Sequence, residues 1–245
     1  MTDWHLKEDD IVVLRPLDDI PEHLFKVLDV YEDCITGYAI TGPLKGVYGE
    51  PELELILRVR PHRVLSDEQV SVLLNTNDRV LHSALLFCLL TGMRSGEACG
   101  LLAEDVSTKG NLGRFVQIRP NAVRLLKSKA AEREVPLHPV LEQLLDQRRP
   151  SQGRLFPSLN VDRVVKRYAY LRTAHRELQG TVFHSTRKWF ITQCERTGVP
   201  EHFTATLVGH HSARSANKLT YGLYSAGISD AQKREIVEGV RMPVG

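Results

Sequence analysis

The chain changes character at Pro61, and that change limits the folds open to it. From position 10 to 60 it reads as short alternating or β-rich runs, DIVVLRP, LFKVLDVYED, ITGYAITG and LELILRV, separated by turn-rich pieces such as PLDDIPE and TGPLKGVYGEP. Four or five strands in a small module are expected there. Beyond Pro61, LSDEQVSVLLN opens with Ser66 as N-cap and Glu68 and Gln69 in the first turn, then continues at helical period. VLHSALLFCLLTG follows as a helix apolar almost all round, hence buried, and Gly92 stops it. SGEACGLLAEDV reads as another short helix. GRFVQIRP, NAVRLL and REVPL then alternate and predict three short antiparallel strands. From PVLEQLLDQRR to QKREIVEGV the sequence is mostly helical, with breaks at RRPSQGRLFPS, around Gly180, at TGVP and at GHHSARS. The expected class is α+β: a mainly helical domain over 61–245 with a small three-stranded antiparallel sheet, preceded by a small all-β module over 1–60.

Charge divides at the same place. Residues 1–60 hold 6 Lys/Arg against 13 Asp/Glu, or −7, and residues 61–245 hold 26 against 17, or +9, which gives the net +2 of the chain. A basic second part suits a polyanion, because phosphate neutralisation dominates non-specific DNA affinity. The acidic first part would repel the same backbone. The longest apolar run, ALLFCLL at 84–90, is far short of the ~20 residues a bilayer span requires, so no membrane association is expected. MTDWHLKEDD lacks the basic-then-apolar pattern of a signal peptide, and a cytoplasmic location is the expectation. Cys34, Cys88, Cys99 and Cys194 are widely spaced with no C-x-x-C pair, which argues against disulfides and a zinc site.

Five polar positions carry the candidate chemistry: Arg94 in TGMRSGE, His184 and Arg187 in FHSTRKWF, His210 in LVGHH, and Tyr224 in TYGLYS. Arg94 follows a glycine at a helix start, with Glu97 three residues on and in reach to orient it. His184 and Arg187 are one helical turn apart, so both side chains can project from one helix start, where anions are favoured. His210 follows Gly209 at a helix end, and the adjacent His211 is expected to face solvent. Two arginines can grip the non-bridging oxygens of a phosphodiester by bidentate charge-assisted bonds while a tyrosine hydroxyl attacks phosphorus.

In this order the residues resemble the catalytic domain of the tyrosine recombinases, the phage-integrase family, over roughly 62–235. TGMRSGEACGLLAEDV is similar to the family's first box, and LVGH to its third. Ser185 and Thr186 stand where the family often has aspartate and leucine. The resemblance implies a site-specific recombinase or integrase that is independent of metal, ATP and any other cofactor. Tyr224 is the implied nucleophile, forming a 3′-phosphotyrosyl bond and freeing a 5′-hydroxyl; Tyr221, three residues earlier, is the alternative. Arg94, Arg187 and His210 would hold the phosphate, and His184 would assist proton transfer at the tyrosine. A hairpin lysine, Lys127 or else Lys129, would protonate the leaving oxygen. Implied partners are double-stranded DNA and three further protomers in a homo-tetramer, with the last helix, DAQKREIVEGV, docking on a neighbour. Residues 1–60 match no helical core-binding domain of the family and leave room for a protein partner. A type IB topoisomerase-like enzyme and a non-catalytic DNA-binding regulator are the alternatives.

Overall fold

The computed structural model describes residues 6, 10–60, 64–124, 126, 131–148, 152–210 and 227–243. The chain forms two compact units, Met1–Arg63 and Val64–Gly245.

In the first unit, β1 (Ile11–Leu14), β2 (His23–Val30), β3 (Ile35–Ala39), β4 (Tyr48–Gly49) and β5 (Ile56–Arg60) make one antiparallel sheet in the order β4-β3-β2-β1-β5. Period-two burial explains it: in β2, His23, Phe25 and Val27 turn inward while Leu24, Lys26 and Leu28 stay partly exposed. Val12, Leu14, Phe25, Val27, Ile35, Ala39 and Ile56 fill the core. Gly37 is required by close approach, since a Cβ there would lie 1.9 Å from the Lys26 carbonyl oxygen on the neighbouring strand.

The second unit is mainly helical. Helix α1 (Asp67–Leu74) begins at Ser66, whose hydroxyl accepts the Gln69 N–H while the Gln69 amide accepts the Ser66 N–H. Helix α2 (Arg79–Thr91) is the buried centre, and its residues Leu81 to Leu90 are all buried except His82. It ends at Gly92, with φ 65°; a Cβ there would meet Phe190 at 2.6 Å and Val208 at 2.8 Å. Only glycine satisfies both the left-handed backbone and that approach. The short helix α3 (Ser95–Cys99) then leads into a three-stranded antiparallel sheet of β6 (Val106–Thr108), β7 (Arg114–Ile118) and β8 (Arg133–Pro136), in that order. Helices α4 (Pro139–Arg148), α5 (Val161–Ala174), α6 (Ser185–Arg196), α7 (Glu201–Val208) and α8 (Asp230–Glu238) complete the unit. Trp189 and Phe190 of α6 are fully buried, and the Trp189 indole N–H donates to Asp67 at 3.2 Å.

The α+β class is as expected, but one strand differs. NAVRLL does not supply a strand of this sheet; Asn121 and Arg124 close a turn, and the sheet instead takes Val106–Thr108, which starts at the last residue of the stretch read as a short helix. The reason is Arg124, whose buried guanidinium donates to the Arg119 carbonyl at 2.8 Å, the Glu97 carbonyl at 3.1 Å and the Asp105 carboxylate at 3.2 Å. Folding the loop back places those donors on acceptors, where an extended strand would have left a buried charge unpaired.

Helix α8 packs on the sheet of its own chain. The buried Arg234 donates to the carbonyls of Leu137 at 2.6 Å and Arg114 at 3.0 Å, and to Glu142 at 3.2 Å. Lys109 adds an ion pair to Asp230 at 2.7 Å, and Val237 and Val240 enter the core. Among the described residues no helix is long and apolar enough to cross a membrane, and no group of His, Cys, Asp and Glu is arranged to hold a metal ion.

Candidate active site

The carboxy-terminal ends of α2 and α7 and the starts of α3 and α6 bring Arg94, Arg187 and His210 to one region, and each is positioned by its local backbone. Arg94 occupies the N-cap of α3 in extended backbone, and the Glu97 carboxylate accepts its backbone N–H at 2.9 Å and its Nη1 at 3.2 Å. The Arg94 side chain keeps about a quarter of its surface exposed, whereas Glu97 is 4% exposed. This carboxylate is therefore a buried group, unlike the partner in an ordinary surface pair.

His184 stands immediately before α6, half-buried, and its carbonyl accepts the Arg187 N–H at 3.1 Å. Ser185 and Thr186 pin the helix start: the Ser185 hydroxyl accepts the Val182 N–H at 3.1 Å and the Thr186 hydroxyl donates to the Phe183 carbonyl at 2.8 Å. Arg187 points inward and is 1% exposed. Its guanidinium donates to the Gly92 carbonyl at the end of α2 and, at 2.6 Å, to the Val208 carbonyl at the end of α7. Two helix C-termini, each with unsatisfied carbonyls and partial negative charge, thus cradle the cation. Burial, followed by the charges of Arg94 and Arg133, lowers the Arg187 pKa to about 9, which leaves it charged at neutral pH. Its buried Nε has no acceptor among the described residues. Such an orphan donor costs about 1–3 kcal/mol.

Helix α7 ends in a left-handed Gly209, with φ 69°, and the His210 N–H reaches back to the Ala205 carbonyl at 2.9 Å. This turn presents His210 at the surface. Lys127 and Lys129, His211, Tyr221 and Tyr224 lie outside the described residues.

One residue at the centre of this region was not singled out from the sequence as a site residue. Arg133 of β8, with a side chain 4% exposed, forms a two-pronged ion pair with Glu97, at 2.8 and 3.0 Å. Its Nε donates to the Leu207 carbonyl at 2.7 Å, and Nη1 also reaches the Ala131 carbonyl at 2.8 Å. The signal was present in the strand period: Arg133, Val135 and Leu137 share a face, and both aliphatic residues are fully buried. Burial alone would raise the Glu97 pKa, but the hydrogen bonds and charge of Arg133, the charge of Arg187 and the Arg94 N–H overcome it and hold the carboxyl at about 2. Three guanidinium groups thus gather around one carboxylate, and the excess is positive.

The sequence profile of the Phage integrase family matches residues 63–221. The chain belongs to this family. No curated protein matches it at the sequence level. Among solved structures, the integrase from mycobacterium phage Brujita is 20% identical with a TM-score of 0.53, covering 74% of this chain and 60% of that one. The Tn1549 transposon integrase, solved in complex with a circular intermediate DNA, is 15% identical with a TM-score of 0.49, covering 72% and 66%. XerA recombinase is 20% identical with a TM-score of 0.47, covering 72% and 64%. The likeness to the phage integrase shows an integrase-like fold, and the chain spans 60% of that protein's length.

Proposed function

We propose that the chain is a tyrosine recombinase that cleaves and rejoins DNA strands at specific sites. The observation that carries this is the buried charge cluster in which Arg94, Arg133 and Arg187 outnumber Glu97, with Arg187 Nε lacking an acceptor among the described residues. Such a region favours a further anion, and a phosphodiester supplies acceptors in the planar fork geometry that guanidinium groups match.

In this reading Arg94 and Arg187 bind the two non-bridging oxygens, and His210 donates to one of them. The Tyr224 hydroxyl attacks phosphorus in line as His184 takes its proton. The bond from phosphorus to the 5′-oxygen breaks, and Lys127 protonates the departing oxygen. Phosphorus remains esterified to tyrosine, so a 5′-hydroxyl from a second duplex can reverse the step with no other energy source. Fixed cations act where charge develops, and they favour the phenolate of a tyrosine whose ordinary pKa is about 10. Residues 61–245 would form the catalytic unit, acting in the cytoplasm as a homo-tetramer on two duplexes, with the acidic sheet of residues 1–60 meeting a protein partner. A non-cleaving DNA-binding regulator is the second reading, favoured by the presence of an acidic five-stranded sheet before the catalytic unit.

The test is incubation of the full chain with nicked duplexes carrying candidate sites from the DNA flanking its own gene, in chelator and without ATP. A covalent protein–DNA adduct that disappears in Arg94→Ala and Arg187→Ala supports the enzyme. DNA binding with no adduct supports the regulator.

A further inference from the structure

Among the described residues, Arg133 bonds three segments around the predicted site. Through Glu97 it reaches the α3 start that holds Arg94. Through the Leu207 carbonyl it reaches the α7 end that presents His210. Through the Ala131 carbonyl it holds the chain two residues before itself. Gly209 leaves room for this: a Cβ there would lie 2.7 Å from Arg133 Nη1 and 3.2 Å from the Ala131 Cα. The left-handed turn before His210 and the arginine beneath it are therefore built around each other.

The partition of Glu97 gives this arrangement a chemical consequence. Both carboxylate oxygens are taken by Arg133 at 2.8 and 3.0 Å, while the Arg94 guanidinium reaches one of them at 3.2 Å through a single nitrogen and the Arg94 backbone N–H reaches the other at 2.9 Å. A carboxylate without its second cation would close on Arg94 with both oxygens, because bidentate pairing is the stronger geometry. Arg94 would then be held by the protein instead of by a phosphate.

We propose that Arg133 is a positioning residue for strand cleavage: by occupying Glu97 it leaves Arg94 available to the scissile phosphate, and by holding the end of α7 it sets the place of His210. The inference rests on the phosphoryl-transfer reading above. Lysine at this position keeps one charge but cannot span Glu97, Leu207 and Ala131 together.

The experiment compares the full-length wild type with Arg133→Lys, Glu97→Gln and the double variant. Each is measured for DNA affinity by fluorescence anisotropy, for the single-turnover rate of covalent adduct at saturating nicked duplex, and for melting temperature. Arg133→Lys is expected to weaken DNA binding no more than Arg94→Ala does and, at saturating duplex, to form adduct at least about tenfold more slowly, the scale of a misplaced catalytic group. Glu97→Gln should slow the wild type but accelerate the Arg133→Lys chain, since it releases Arg94. That reversal of sign is not produced by a residue that only stabilises the fold. An Arg133→Lys rate within twofold of wild type overturns the proposal. So does a rate loss that follows folded fraction or DNA affinity, or a Glu97→Gln effect of the same sign in both backgrounds. No adduct from the wild type would overturn the recombinase reading and this proposal with it, whereas a wild-type adduct isolates the role of Arg133.

Discussion

Replacing Glu97 by glutamine removes one negative charge from among Arg94, Arg133 and Arg187 while keeping the side chain's shape. A carboxyl held at about 2 instead of the usual 4.5 is stabilised as the ion by about 3 kcal/mol, at roughly 1.36 kcal/mol per decade. Glu97 is almost fully buried, so solvent screening removes little of this. Its loss also leaves Arg133 without the partner of its buried charge, a defect that costs about 3–5 kcal/mol in other proteins. We expect Glu97→Gln to destabilise the chain by about 3 kcal/mol at pH 7, or about 6–12 °C in melting temperature for a unit of this size. The pH dependence follows from the sign. Because the folded pKa lies below the unfolded one, the contribution is complete above pH 4.5 and is lost as pH falls through about 2. The stability gap between wild type and variant should narrow to about half by pH 3. Urea unfolding of both proteins between pH 7 and pH 3 measures it. A gap that stays constant with pH, or no gap at pH 7, would refute the argument that Glu97 is held ionised by the arginines.

Gly209→Ala, which places a Cβ against Arg133 and Ala131 at a left-handed position, should destabilise by about 2–3 kcal/mol in thermal or urea unfolding. Arg234→Met removes the cation held by the Leu137 and Arg114 carbonyls and Glu142, and should raise amide hydrogen exchange across Asp230–Glu238 by about tenfold or more while leaving α2 unchanged. Arg94→Ala should weaken DNA binding uniformly across sequences and reduce the slope of log affinity against log salt by about 1, measured by anisotropy titrations at several salt concentrations.

How far the sequence reached can be followed residue by residue. Caps and glycine stops were legible because they are local: Ser66, Gly92 and Gly209 each end or begin a helix through bonds to residues within five positions. The strands of the first unit were legible because alternation is also local. NAVRLL misled because its apolar alternation is real, while the decisive interaction, Arg124 with Asp105, spans 19 positions. Arg94, His184, Arg187 and His210 stood out by order and by resemblance, and that order says nothing of which way a side chain turns. Arg187 turns inward onto two helix ends 95 and 21 positions away. Arg133 was passed over as part of a strand motif, since its importance lies in contacts to Glu97 and Leu207, 36 and 74 positions distant.

The most direct test of the account is to digest the covalent adduct formed on nicked DNA and locate the modified residue by mass spectrometry. The account predicts a 3′-phosphate esterified to Tyr224, with a free 5′-hydroxyl on the released strand. A phosphotyrosine at Tyr221 would keep the chemistry and move the nucleophile; no tyrosine-linked DNA from a chain that demonstrably binds the duplex would contradict it.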